Sequence, residues 1–179
     1  SSSFQVGIGA SYELDVWGRN RAERDASAAA LASSGYARET ARITVVADTA
    51  TAYFQLLSLS DRLAVSQRQL DNAREFLRLI ELQYKAGAVS EVEVSRQRNL
   101  VASLEAGMPP IRQAREQTLD ALAVLLGVPP QEARVAGGPL DDLKLPPLAP
   151  GLPSELLVRR PDIRRAESDL VAANANLEA

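Results

Sequence analysis

Over residues 4–16 apolar and polar positions alternate without a fault. Phe4, Val6, Ile8, Ala10, Tyr12, Leu14 and Val16 are apolar or aromatic, and Gln5, Gly7, Gly9, Ser11, Glu13 and Asp15 lie between them. A period of two places one set on each face of a strand, so the pattern predicts a strand. About 9–11 such residues cross a bilayer as one tilted strand of a barrel. Trp17 follows, where an interfacial aromatic would sit. The same alternation also suits a half-buried strand of a soluble sheet, and the residues alone leave both readings open.

After Gly18 the period changes to three and four. Ile43, Val46, Ala50, Phe54 and Leu57 recur first, then Leu63, Leu70, Ala73, Leu77, Ile80 and Tyr84, with a phase slip near Ser60-Asp61. This is helical spacing of the coiled-coil kind, and a slip is how such helices adjust their winding. Proline removes a donor and clashes with the preceding turn, and the first 108 residues contain none. Gly35 is the only interior candidate for a break. A helix of some 66 residues would span roughly 100 Å at 1.5 Å per residue.

A tight reversal is expected next. Glu81 and Lys85 are spaced as an i,i+4 pair with the cation toward the helix C-terminus. Gly87 stands where a left-handed residue ends a helix. Ser90-Glu91-Val92-Glu93 reads as a capping box, with Val89 and Val94 at the staple positions. The return helix is expected from about Glu91 to Leu126. Leu104, Ile111, Thr118 and Leu125 share one heptad position, and Leu100, Gly107, Ala114 and Ala121 the other. Pro109-Pro110 is expected to kink or split this helix. Gly127 and the prolines after it end it.

The chain thus divides into a strand over 1–18, a helical hairpin over 19–127 with its tip at 87–90, a Pro/Gly-rich segment over 128–160 and a final helix from 161 onward. Residues 154–158 are expected to form a short helix. Pro161-Asp162 supplies the first turn of the last one, which carries Ile163, Ala166, Leu170, Ala173 and Leu177. The fold class is mainly α.

Composition narrows the function. The 179 residues include no Cys and no His, and the net charge is −3. Thiolate and imidazole chemistry and the usual Zn, Cu and haem ligands are therefore missing. No catalytic residue, metal or cofactor is expected. The charge argues against a nucleic-acid partner. Glu91 and Glu93 lie two apart on a helix and face different ways, so they do not make an acid–base pair. Arg159, Arg160, Arg164 and Arg165 form a basic cluster; a phosphate site and a salt-bridged surface both suit it. The opening Ser1-Ser2-Ser3 is not a signal peptide, which suggests an internal piece of a longer protein.

Three stretches resemble a known family. Tyr12-Glu13-Leu14-Asp15-Val16-Trp17-Gly18-Arg19 is similar to its strand-to-helix junction. Tyr84-Lys85-Ala86-Gly87-Ala88-Val89-Ser90-Glu91-Val92-Glu93-Val94 is similar to its hairpin tip. Gly151-Leu152-Pro153-Ser154-Glu155-Leu156-Leu157 with Arg159-Arg160-Pro161-Asp162-Ile163-Arg164 is similar to the opening of its second repeat. On these the chain resembles the outer membrane factors, the TolC/OprM-like channels of tripartite efflux pumps, in their NodT-type drug-efflux branch.

The resemblance implies a homotrimer in the outer membrane of a Gram-negative cell, with its helical part in the periplasm. It implies passive export of drugs or small molecules, powered by an inner-membrane pump of the RND type. A periplasmic adaptor would dock at the tip, on Gly87, Ala88, Val89, Ser90 and Glu93. Some relatives carry Thr and Asp where Val92 and Glu93 stand, and latch the closed tip through them; Val92 has no hydroxyl to do so. Residues 4–16 would be one barrel strand in outer-membrane lipid, and 128–160 an equatorial segment. Two other classes share the long hairpin: a periplasmic adaptor and a soluble coiled-coil scaffold. The alternating strand and the proline-rich flank fit neither.

Overall fold

The computed structural model describes residues 3–9, 14–135, 137–144, 146–147, 151 and 153–178. Four helices carry the fold: α1 (Arg19–Lys85), α2 (Glu91–Leu126), α3 (Pro153–Arg159) and α4 (Pro161–Glu178). Two 3-10 turns, Pro130–Glu132 and Leu140–Asp142, lie between α2 and α3. The chain forms two compact units, one of Ser1–Ile43 with Ala149–Ala179 and one of Thr44–Leu148.

The strand expected over residues 4–16 is not formed among the described residues. Phe4, Val6 and Ile8 are almost wholly exposed, as is Trp17, and Leu14 and Val16 are about three-quarters exposed. Ala10 and Tyr12 lie outside the described residues. The reason is the ladder. A strand exists by pairing its backbone N–H and C=O groups with a neighbour, and this chain carries a single alternating segment.

The segment nevertheless ends in a defined cap. Gly18 adopts φ 78°, which turns the chain into α1. The Asp15 carboxylate then accepts the backbone N–H groups of Asn20 at 3.1 Å and Arg21 at 3.0 Å. Two of the orphan donors of the first helical turn are thus satisfied by an anion at the positive end of the dipole.

In its 67 residues α1 has no proline, and Gly35 does not break it. One helical glycine costs about 1 kcal/mol, little against the propensity of so many Ala, Leu, Arg and Gln. In the Thr44–Leu148 unit α1 buries Leu56, Leu57, Leu59, Leu70, Ala73 and Ile80. The seam of α2 is Val94, Gln97, Val101, Met108, Thr118 and Leu122 with Ala123. Leu70, Ala73, Val101 and Met108 form one cluster, with Leu63, Leu77 and Leu104 packed on it.

Half of the expected α2 pattern is therefore in phase. Leu104, Ile111, Thr118 and Leu125 are buried or half-buried, whereas Leu100, Gly107 and Ala121 are exposed. The second seam position falls one residue later than expected, at Val94, Val101, Met108 and Leu122. Larger side chains there fill the space between the helices better than glycine and alanine do.

Of the kink or split expected at Pro109-Pro110, the split is absent. Helix α2 runs unbroken from Glu91 to Leu126 with both prolines inside it. Each removes one backbone bond, so the carbonyls of Glu105 and Ala106 lose their helical partners. Those two residues and both prolines are exposed, so water reaches the freed groups. Met108 beside them is 3% exposed, and its packing holds the helix through the step.

In the other unit α4 approaches α1 through polar groups. The Ser33 hydroxyl donates to Asp169. The Arg164 guanidinium lies 5.6 Å from the Tyr36 ring centroid and donates to its hydroxyl at 3.3 Å. Ile163, Ala172 and Ala175 are half-buried, but Ala166, Leu170, Ala173 and Leu177 are exposed. Most of the apolar set of α4 thus has no partner within the described residues. Asp162 starts the helix: it accepts the Ile163 N–H at 3.0 Å and a bond from Arg160 at 3.0 Å. The Arg160 bond, before any other cause, holds its carboxyl below the ordinary carboxylate range. That contribution is present above the unfolded carboxylate pKa and is lost as pH falls through the lower folded value.

Candidate functional site at the hairpin tip

The tip is built by two neighbouring local devices. At the end of α1 the Gly87 N–H bonds the Tyr84 carbonyl at 2.9 Å, and the Ala88 N–H bonds that of Gln83 at 2.9 Å. This pair is the Schellman closure, which requires a left-handed residue, and Gly87 has φ 75°. The same closure recurs at the far end of α2. Gly127 has φ 70°, and Val128 bonds Ala123 at 3.1 Å. Both glycines stand where the sequence places them.

At the start of α2 the backbone is capped and the side chains are not. Ser90 has the extended geometry of an N-cap (φ −84°, ψ 159°), but its hydroxyl makes no capping bond. Glu93 does not reach back to close the expected capping box. It pairs instead with Arg96 at 3.3 Å. The expected Glu81–Lys85 pair is likewise replaced, because Glu81 reaches across the hairpin to Arg98 at 2.7 Å. Arg98 reaches Glu81 through both Nε and Nη2, a fork of donors that a single ammonium cannot match.

The surface that results is small and apolar, with a few polar groups. Gly87, Ala88 and Ser90 are exposed, Val89 and Glu93 are half-buried, and Val92 is 67% exposed. Beneath it Val94 and Ile80 are buried. Higher up, Arg74 pairs with Glu105 across the hairpin, and the Gln97 side-chain amide donates to the Ala73 carbonyl at 3.1 Å. None of these three cross-hairpin contacts was visible from spacing. Each joins residues 17 to 31 apart, so register between the helices selects them. The crown thus exposes backbone and small side chains between two closed helix ends.

Gly87→Ala tests the closure. A Cβ at this position meets nothing within 4 Å, so the cost is backbone strain alone, about 1–2 kcal/mol. Protease cleavage within residues 86–90 of the full-length protein should then rise roughly fivefold to thirtyfold. Gly87→Asn should do much less, since asparagine tolerates this conformation. Equal effects of the two would refute the backbone account.

Among the described residues no group of His, Cys, Asp or Glu is arranged to hold a metal ion. No described helix is long and apolar enough to cross a membrane. The four arginines of the basic cluster each have an acidic neighbour: Glu155, Asp162, Glu167 and Asp169. A salt-bridged surface therefore describes them better than a phosphate site.

Known proteins share this architecture. The family model of the outer membrane efflux protein matches residues 1–128, ending one residue past the Gly127 cap. The pyoverdine export outer membrane protein OpmQ of Pseudomonas aeruginosa is 41% identical over 98% of this chain and 37% of its own length. The toluene efflux pump outer membrane protein TtgI of Pseudomonas putida is 34% identical over 99% of this chain and 38% of its own. The open-state MtrE outer membrane channel of Neisseria gonorrhoeae superposes with a TM-score of 0.82 at 34% identity, over 95% of this chain and 38% of that one. The chain belongs to the outer membrane efflux protein family, a family of conduits rather than of enzymes. It spans less than two-fifths of the length of these relatives.

Proposed function

We propose that the full-length protein is the outer-membrane channel of a tripartite efflux pump. It conducts drugs or other small molecules passively from the periplasm to the exterior, and an inner-membrane pump of the RND type supplies the energy. Three copies assemble the conduit, and catalysis has no part in it. The alternating segment at residues 4–16 pairs with barrel strands from outside this chain. Its apolar set, Phe4, Val6, Ile8, Ala10, Tyr12, Leu14 and Val16, faces lipid, and Trp17 sits at the interface.

The observation that carries the reading is the tip. Gly87, Ala88, Val89 and Ser90 present little side-chain bulk, and the Ser90 hydroxyl makes no capping bond. A helical hairpin of an adaptor can approach such an end closely and bond to it. The membership of the family supports the same reading, and so does the role of each relative as an outer membrane export or efflux protein. One of them serves pyoverdine export and the other a toluene efflux pump.

Cysteines in place of Ala88 and Ser90 in the full-length protein should crosslink to the hairpin tip of the cognate adaptor. Cysteine in place of Leu100, 47% exposed on α2 well away from the tip, should not. Absence of any tip crosslink in an assembled, exporting pump would refute adaptor docking at this site.

A further inference from the structure

We propose that Pro109-Pro110 is a pivot built into the hairpin, about which the tip-side part moves as one braced arm. Three observations within the Thr44–Leu148 unit meet at this step. The first is the backbone. Two successive residues without an N–H leave two carbonyls unbonded in an otherwise continuous helix, which lowers resistance to bending at that level alone.

The second is the distribution of ties between α1 and α2. On the tip side stand Arg98–Glu81, Arg74–Glu105, the Gln97 bond to Ala73, and the Leu70/Ala73/Val101/Met108 cluster. On the other side Arg115 donates to Ser60 at 3.2 Å, and Leu57 and Leu122 are 2% exposed. There the Leu140 N–H also bonds the Asp61 carboxylate at 2.9 Å, fastening the proline-rich segment to α1. The polar ties reach Glu105 on α2, stop, and resume at Arg115.

The third is space. Two clefts flank the step. One, of about 380 Å³, is lined by Ser58, Asp61, Val65, Ile111 and Leu140 among others. The other, of about 260 Å³, is lined by Gln67, Arg74, Glu105, Met108 and Arg112 among others. Side chains there have room to shift when the helix bends. A braced arm, a gap in the polar ties and open grooves beside it make a hinge, with the apolar packing of Met108 left to carry the step. That the arm's movement serves conduction rests on the channel reading above.

Hydrogen exchange on the full-length protein tests the pivot without any transport. Amides at 107, 108, 111 and 112 should exchange at least tenfold faster than those at 97–101 of the same helix. The double variant P109A/P110A, which restores both bonds, should bring the two sets within about threefold. Pro110→Ala alone should fall between. Equal exchange of the two sets in the unsubstituted protein overturns the pivot. In a reconstituted pump the double variant should export at least fivefold more slowly with its assembly intact; unchanged export would overturn the pivot's role in conduction. A wild-type protein that exports nothing would sink the channel reading instead, and the exchange result would still decide the pivot.

Discussion

Truncating Leu122 to alanine should destabilise the base of the hairpin by about 2–5 kcal/mol. Leu122 and Leu57 are the largest fully buried side chains among the described residues, and Ala123 beside Leu122 is fully enclosed. The loss has two parts: the transfer energy of the removed methyl groups and the cavity they leave. The cavity has little means to collapse. Arg115 holds α2 to Ser60 of α1 close by, so the helices resist closing on the gap. Hydrogen exchange at residues 54–60 and 119–126 of the full-length protein follows the local opening equilibrium. It should accelerate about thirtyfold to a few thousandfold. Leu122→Met, which nearly conserves volume, should stay below about 1.5 kcal/mol. An acceleration under threefold for the alanine variant would show that this contact does not hold the base together.

Val94→Asp should have the larger effect on the tip. Val94 is 2% exposed in the first turn of α2. A carboxylate near a helix N-terminus gains about 0.3–1 kcal/mol from the dipole. Leaving the same charge buried without a partner costs several times more, of the order of 3–5 kcal/mol. Burial wins, so the tip-side turns of the hairpin should part rather than hold the charge. Limited proteolysis should then cut near residues 83–96, and the crosslinks expected from positions 88 and 90 should vanish together. Val94→Ile keeps the position apolar and should keep both. Retention of the crosslinks by the aspartate variant would mean that tip geometry does not depend on the buried seam.

The hairpin was legible because its signals are local. Gly87 and Gly127 must be left-handed to close a Schellman turn, and each closes within five residues of itself. The proline-free run and the three-and-four spacing define α1 from neighbours one or two turns away. Pro161 and Asp162 begin α4 for the same reason. The cap on α1 carries no such local signal, because Asp15 reaches forward from outside the helix to Asn20 and Arg21, a longer reach than the usual box.

The candidate site was legible as a turn and only partly as chemistry. The residues at its crown stand where the motif places them, while the bonds expected of Ser90, Glu93 and Glu81 do not form. Spacing shows which partners lie within reach along one helix. It cannot show that Arg98 or Arg96 will be closer and better shaped, because that depends on how the two helices face each other.

By itself the sequence determined the helices and their order, two of the three left-handed glycines, Gly87 and Gly127, and the family. All of these follow from contacts a few residues long or from motifs. Tertiary structure alone decided three things. It set which α2 residues form the seam, because a shift of one residue turns a helix by about 100°. It carried α2 through Pro109-Pro110, because packing around Met108 outweighs two missing bonds whose carbonyls face water. And it left residues 4–9 without a strand, because a ladder needs a second strand and the alternation in this chain supplies one.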